Sequence, residues 1–240
     1  RAAHVLGSTV VCTFVGKPRP TLAEEMEQII SGAAAEIRQV LPVCERYGIG
    51  LALENNQDLT TEELLTLLEQ IDSRWVGVCF DTGNPLGVLE DPLESARAVA
   101  PLVKTVHLKD YQLAARSDGF SLLECALGEG VVDLRGIVDL VRSEAPQATL
   151  NIETSAGTHP MPVLDEAYLE RFPETPVVAL GRTLRLVRDR GVRREPQLGM
   201  AEGASEEDLL AAEEDLVVRS VRWAEAALGR ADSGAERFGG

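Results

Sequence analysis

Four short apolar runs in this chain each end on a side chain that can bind a metal. Glu54 follows Gly50-Leu-Ala-Leu, Asp81 closes Val76-Gly-Val-Cys-Phe, His107 follows Val103-Lys-Thr-Val, and Glu153 follows Thr149-Leu-Asn-Ile. Runs this short and continuous suit parallel strands covered on both faces, since a strand with one wet face alternates polar and apolar residues instead. A helical pattern follows each of the first three runs. Parallel strands joined by right-handed helical crossovers all end on the same side, so their terminal side chains are brought to one face.

The rest of the chain extends this alternation. Val5 to Phe14 reads as a first strand and Gly16 to Pro20 as a loop. A long helix is expected from Thr21, a candidate N-cap, to Tyr47, with Met26, Ile29, Ile30, Ala33, Ile37, Val40, Leu41 and Cys44 on one stripe and Gly48 as its stop. Thr60-Thr-Glu-Glu63 has the form of a capping box ahead of a short leucine-rich helix. Asp91-Pro92 opens another helix. Residues 110–130 read as a long connection of the lid or binding-loop type. Val132–Ser143 is expected to be a helix, as are Asp165–Phe172 and Pro176–Arg190. Ser205 caps a final amphipathic helix to Leu228.

Five strands are clear, while a closed barrel needs eight, and a last strand is not evident between Pro173 and Ala179. An open doubly wound sheet is therefore the rival architecture. The barrel is preferred because functional residues leave the same end of successive strands, whereas an open sheet gathers its ligands at one switch point. The expected fold is thus an α/β TIM (β/α)8-type barrel, N-terminally truncated, with an extra C-terminal helix. Residues 1–190 form the barrel, 191–204 a linker, 205–228 a helix packing on the barrel, and 229–240 a flexible tail.

Composition narrows the function. The formal net charge of −16 over 240 residues opposes a phosphate backbone, so nucleic acid is not an expected partner. No stretch of about 18 uncharged apolar residues indicates a membrane span, and no signal segment opens the chain. Cys12, Cys44, Cys79 and Cys125 form no CxxC pair and are expected to be buried free thiols, consistent with a cytoplasmic location. A homo-oligomer is compatible with all of this.

Three carboxylates and one imidazole make an oxygen-rich donor set. That set suits Mn2+ first, with Mg2+, Co2+ or Zn2+ as alternatives. Taken singly, each residue has an ordinary role: Glu54 or Asp81 a cap or surface acid, His107 a satisfied core histidine, Glu153 a partner of a basic residue. It is the convergence of the four that singles them out.

Leu53-Glu-Asn-Asn56, Phe80-Asp-Thr-Gly-Asn84, Val106-His-Leu-Lys-Asp110 and Leu127-Gly-Glu-Gly-Val-Val-Asp133 resemble the sugar phosphate isomerase/epimerase family of xylose-isomerase-like TIM barrels. The likeness runs from Val5 to Glu153, corresponds to strands 3 to 8 of the family pattern, and lacks its first two strand–helix units. It implies that Glu54, Asp81, His107 and Glu153 hold the metal, with Glu54 and Glu153 also acting as catalytic acid and base. It implies substrate contacts from Asn84, Lys109 and Glu129. His159, in Gly157-Thr-His-Pro-Met161, is added as a pocket residue on its position after the Glu153 strand. Two departures stand out: Asn56 where the family often has His, and no Arg after His107 of the kind seen in some ketose epimerases.

The activity implied is divalent-metal-dependent isomerisation or epimerisation of a sugar, sugar phosphate or polyol through an enediolate. A dehydratase or lyase acting on a keto-cyclitol, dehydroshikimate or 3-keto-glycoside is the alternative with the same early chemistry. Endonuclease IV shares the barrel, but its trinuclear zinc site needs many histidines and this chain has three. A non-enzymatic reading, an inactive truncated barrel, is the remaining alternative.

Overall fold

The computed structural model describes residues 1–16, 19, 23–155, 157–173, 175, 177–192 and 205–229. Five parallel strands form one curled sheet: β1 (Val10–Thr13), β2 (Gly50–Glu54), β3 (Val76–Asp81), β4 (Val103–Leu108) and β7 (Thr149–Ile152), in the order β1-β2-β3-β4-β7. Between β4 and β7 the chain builds a hairpin of β5 (Asp110–Arg116) and β6 (Gly119–Cys125), to which β8 (Thr158–Met161) adds antiparallel.

The crossovers are helices α2 (Ala23–Tyr47), α3 (Thr61–Ile71), α4 (Pro92–Val99) and α5 (Leu134–Glu144), preceded by one helical turn, α1 (Ala2–Val5). The expected caps are present. The Thr60 hydroxyl accepts from Glu63 N while the Glu63 carboxylate accepts from Thr60 N, and Asp91 accepts from Leu93 N and Glu94 N. Each such cap satisfies N–H groups that the first turn leaves orphaned. Glu63 also grips the Arg19 guanidinium in a two-pronged ion pair, which holds its carboxyl low against the opposing effect of burial.

Strand register separates the two faces of the large sheet. Leu53, Val76, Val78, Phe80, Val106 and Leu108 face the helices and form one core with Met26, Ile30, Leu64, Leu67, Ile137 and Val138. Burying a side chain such as Phe80 stabilises the fold by about 2–3 kcal/mol. The opposite face, toward the barrel axis, carries Ala52, Glu54, Cys79, Asp81, Thr105, His107 and Asn151. A register shift between Val78 and Cys79 re-phases β4 against β3, so that Val103 stays in the helix-side core while His107 faces the axis.

Several expectations need correction. Val5–Phe14 is not one strand: α1 occupies Ala2–Val5, and Gly7 at φ +74° separates it from β1. Residues 110–130 are not an irregular connection but mainly the β5–β6 hairpin, with Leu113, Phe120 and Leu122 buried in a second core. The local signal for the turn is Ser117-Asp118-Gly119: Ser117 and Asp118 make the two-residue turn, and Gly119, paired with Arg116, opens β6. Asp165–Phe172 shortens to α6 (Glu166–Leu169), capped by Asp165. No strand lies between 173 and 179 among the described residues; α7 (Val177–Arg190) begins there. Cys12 is exposed, because β1 is an edge strand, while Cys44, Cys79 and Cys125 are buried free thiols.

The C-terminal helix α8 (Glu206–Leu228) carries the expected Ser205 cap and packs Trp223 and Leu228 against the main core. The candidate cap Thr21, linker residues 193–204 and tail residues 230–240 lie outside the described residues. Among the described residues, no helix is long and apolar enough to cross a membrane.

Candidate metal centre

Glu54, Asp81, His107 and Glu153 each present a ligand atom, and these atoms all lie within 4.8 Å of one another. The sheet explains why. Asp81 and His107 are direct register partners at the ends of β3 and β4. Glu54 closes β2, and Glu153 continues the β7 ladder by donating its N–H to Leu108 O at 3.1 Å. Side chains then set the strand ends. Asn55 donates to Asp81 O at 3.0 Å and accepts from Asp81 N at 2.7 Å. Thr82 does the same for the next strand, donating to Lys109 O at 2.7 Å and accepting from Lys109 N at 2.8 Å. These two reciprocal pairs extend the parallel sheet past its last backbone bonds.

Within the cluster, His107 Nδ1 lies 2.5 Å from Glu153 Oε2 and 3.4 Å from Glu54 Oε1. Lys109 Nζ lies 3.1 Å from Asp81 Oδ2 and 2.8 Å from Glu153 Oε1. Asp81 Oδ1 accepts from Gly83 N and Asn84 N, which aims Oδ2 at the cluster. Yet Asp81 Oδ2 and His107 Nδ1 are both buried without a hydrogen bond of acceptable geometry among the described residues, despite these close charged neighbours. A buried carboxylate oxygen and an imidazole nitrogen left in this state are ready ligands. The four residues therefore fit a divalent cation.

The electrostatics agree. Burial, only partly offset by Lys109 and by the Gly83 and Asn84 N–H groups, pushes Asp81 up to about 6. Contacts with Cys79, Glu153 and Glu54 raise His107 well above the usual imidazole range. The close approach of His107, then the hydrogen bond from Lys109, takes Glu153 down to about 2 against the effect of burial. Without a cation, the His107 and Lys109 side chains offset only part of the negative charge of the carboxylates around them. A second group, Cys12, Cys79 and His107, also has closely spaced ligand atoms. Burial pushes the Cys79 thiol up to about 12, so it stays protonated and makes a poor ligand. The oxygen-rich set is the stronger one.

A pH dependence follows. A cation needs Asp81 ionised and His107 neutral, so protons compete with it and affinity rises with pH. Between about pH 5 and 6 both groups must lose a proton, and the logarithm of the Mn2+ association constant should rise by between one and two per pH unit. Above about pH 7 only His107 competes, and the slope should fall toward one. Calorimetric titration across this range checks it; a flat profile would rule out binding through these two ligands.

The other predicted residues are placed unevenly. Asn84 is buried beside Asp81, and its side-chain oxygen accepts from Gln57 Nε2 at 3.1 Å. Lys109 lies inside the cluster. Glu129 instead pairs with Arg219 of α8 at 2.5 Å, and His159 pairs with Glu124 at 3.2 Å. Asn56, where the family often has His, makes no hydrogen bond among the described residues; its neighbour Asn55 has the structural role. Sequence reading missed Glu124, Gln57, Tyr111 and Ser155. Gln57 adopts φ +58° and donates to both Asn84 Oδ1 and the Tyr111 hydroxyl. A left-handed non-glycine residue of this kind has no sequence signature.

Residues 1–170 match the family described as the xylose isomerase-like TIM barrel. The chain belongs to the xylose isomerase-like TIM barrel family. It is 36% identical over 112 residues to 3-oxo-isoapionate decarboxylase from Pectobacterium atrosepticum, an alignment covering 46% of this chain and 41% of that protein. The chain thus spans about two-fifths of the length of that curated relative. A xylose isomerase-like TIM barrel protein from Mycobacterium smegmatis, crystallised in complex with magnesium, superposes with a TM-score of 0.55 at 20% identity, over 76% of this chain and 64% of that one. D-psicose 3-epimerase with D-tagatose from Clostridium cellulolyticum H10 gives 0.52 at 14% identity, over 92% and 66%. These two likenesses establish the fold, and the five-stranded sheet described above is part of such a barrel.

Proposed function

We propose that this chain carries the catalytic centre of a divalent-metal-dependent isomerase or epimerase, acting on a sugar, sugar phosphate or polyol-derived ketone through an enediolate. The observation that carries the reading is the placement of the two glutamates. In the sheet order β2-β3-β4-β7, Glu54 and Glu153 flank the Asp81–His107 pair from opposite sides. A carboxylate on each side of a bound keto sugar is what removing a proton from one face and returning it to the other requires.

When bound, a divalent cation (Mn2+ first, by its match to the donor set) supplies Lewis acidity to a carbonyl and its adjacent hydroxyl. The protein does the rest. Asp81 and His107 anchor the site. Glu54 and Glu153 are ligands that also move protons. Lys109 Nζ donates to a substrate oxygen on which negative charge develops, and Asn84 and His159 contact the substrate. Glu129, engaged by Arg219, ties its loop to α8 instead.

A lyase is the second reading, and a specific observation favours it. Lys109 Nζ already occupies Glu153 Oε1 at 2.8 Å, and Glu153, at about 2, is a weak base until that contact is released. Loss of CO2 or of a β-hydroxyl forms or consumes the same enolate with less demand on a second base. The 36% identical relative is a decarboxylase, and the segment after His107 lacks the arginine of some ketose epimerases.

Incubation of the Mn2+-loaded protein in D2O with D-tagatose and with 3-oxo-isoapionate separates the two. The isomerase reading expects a product of conserved carbon count carrying solvent deuterium; the lyase reading expects CO2 or water to be lost. Under the isomerase reading, Glu153→Gln should reduce deuterium incorporation by roughly 100-fold or more, the scale of a lost acid–base group. Retained exchange in that variant would sink the role given to Glu153.

A further inference from the structure

Next to the metal cluster lies a second polar constellation, contributed by the antiparallel sheet. Glu124, on β6, is only 4% exposed, and each of its oxygens has a distinct partner. Oε2 accepts from both Ser155 N and Ser155 Oγ at 2.8 Å; Oε1 lies 3.2 Å from His159 Nε2. Backbone pairing reinforces this, with Glu124 N donating to Gly157 O at 3.0 Å. Gly157 lets the pair sit close to the chain: a Cβ there would lie 3.0 Å from Glu124 Oε1 and 3.2 Å from His159 Nε2, so both side chains would have to give by a few tenths of an ångström. The His159 ring stands edge-on to Tyr111 with centroids 5.9 Å apart, while its side chain stays 41% exposed.

Three links tie this constellation to the metal cluster. Ser155 follows Glu153 by two residues. Lys109, which contacts Asp81 and Glu153, also acts electrostatically on Glu124 and on Tyr111. Tyr111 in turn reaches Gln57 and, through it, Asn84.

The hydrogen-bond inventory fixes the chemistry. Glu124, kept ionised by its donors despite burial, can only accept. His159 Nε2 must therefore carry the proton in that bond, so whenever the ring holds a single proton Nδ1 is the nitrogen that can accept another. A buried carboxylate holding one imidazole nitrogen while the other stays free is the arrangement of a general base oriented by an acid.

We propose that His159, oriented by Glu124, is a catalytic proton carrier serving a substrate hydroxyl on the side of the site facing the antiparallel sheet, separate from the glutamate ligands. This rests on the enolate-forming reading above and adds to it a proton path at oxygen rather than carbon. Nδ1 takes the hydroxyl proton as the O–H bond breaks, the oxygen keeps the bonding pair, and the reverse transfer restores the hydroxyl. Glu124 is a positioning residue. Ser155 and Gly157 shape its surroundings. The charged or titratable groups around the ring are Glu124 from β6 and Tyr111 from β5, with Lys109 acting from the start of the hairpin.

Nitrogen-15 NMR of the histidine rings in the full chain, assigned with His4→Gln, His107→Gln and His159→Gln, provides a readout independent of turnover. Neutral His159 should carry its proton on Nε2. In Glu124→Gln the amide oxygen stays with Ser155 N–H, so the NH2 group faces the ring and the tautomer should reverse to Nδ1–H. A wild-type Nδ1–H tautomer, or one unmoved by Glu124→Gln, overturns the proposal. Mn2+ affinity should remain within about twofold in both His159→Gln and Glu124→Gln, and a larger loss would make the pair part of the metal centre instead. If the Mn2+-loaded wild type turns over D-tagatose or 3-oxo-isoapionate, His159→Gln should lower kcat by roughly 100-fold or more and Glu124→Gln by about 10-fold. Full kcat in His159→Gln would refute the role. An inactive wild type would count against the enolate-forming reading, while the tautomer still decides the dyad.

Discussion

Asp81→Ala and His107→Ala should each lower Mn2+ affinity by about 1,000-fold, on the order of 4 kcal/mol. Both residues lie in the middle of the ligand set and have few other partners. Asp81 Oδ2 and His107 Nδ1 lack well-formed hydrogen bonds among the described residues, so binding a cation gains ligand bonds while disrupting little. Asp81→Ala also frees the Gly83 and Asn84 N–H groups, which complicates its reading. Asp81→Asn is the cleaner variant. It retains an acceptor for those two donors, removes the charge, and should bind Mn2+ about 100-fold more weakly while remaining folded. The stability of the cation-free protein should even improve at neutral pH. Burial raises Asp81 to about 6, above the value near 3.9 of an unfolded chain, so its stability contribution is full below about pH 4 and lost as the pH rises through 6. An amide is spared that loss. Calorimetry and thermal unfolding on the same samples check both halves; wild-type affinity in Asp81→Asn and His107→Ala together would exclude the site.

The legibility of this protein divides along physical lines. Glu54, Asp81 and His107 lie at the ends of largely buried strands, which announce themselves by their apolar runs, so these three candidate ligands could be read directly; Glu153 follows an edge strand that stays partly exposed, and its short run Thr149-Leu-Asn-Ile was still enough to place it. Caps at Thr60, Asp91 and Ser205 were equally readable, because the reason for those residue types is local. The β5–β6 hairpin was harder. Its strands are rich in Ala, Leu and Ser and lack the β-branched residues that mark a strand, and only Ser117-Asp118-Gly119 betrays the turn. Glu124 was illegible for a different reason. Its role depends on Ser155 and His159, 31 and 35 residues away, and nothing along the chain records that pairing. Lys109 illustrates a third limit. Its motif marked it as a candidate, but only the three-dimensional arrangement reveals that it contacts Asp81 and Glu153 at once.

Asp110→Ala should destabilise the fold by about 4 kcal/mol or more, although Asp110 binds neither the metal nor any charged side chain in the hydrogen bonds described. Its carboxylate is 1% exposed and is filled by main-chain donors. Oδ1 accepts from Tyr111 N at 2.9 Å and Val132 N at 3.1 Å; Oδ2 accepts from Gly128 N and Gly130 N, each at 3.0 Å. Alanine leaves these N–H groups without their acceptor, and each buried orphan costs about 1–3 kcal/mol. Asparagine is only a partial remedy, because its NH2 group meets two donors, and should still cost about 2–3 kcal/mol. The loop is clamped from outside too: Leu127 N donates to Ser220 Oγ of α8 at 3.1 Å, and a Cβ on Gly128 would fall 2.0 Å from the Trp223 indole nitrogen. Asp110 therefore couples α8 to the chain segment just after β4, next to Lys109 and close to His107. Urea unfolding followed by Trp223 emission measures the cost, with Trp75→Phe as the background to isolate that signal. A loss below about 1 kcal/mol in Asp110→Ala would mean that water replaces the carboxylate and that the loop is held by α8 alone.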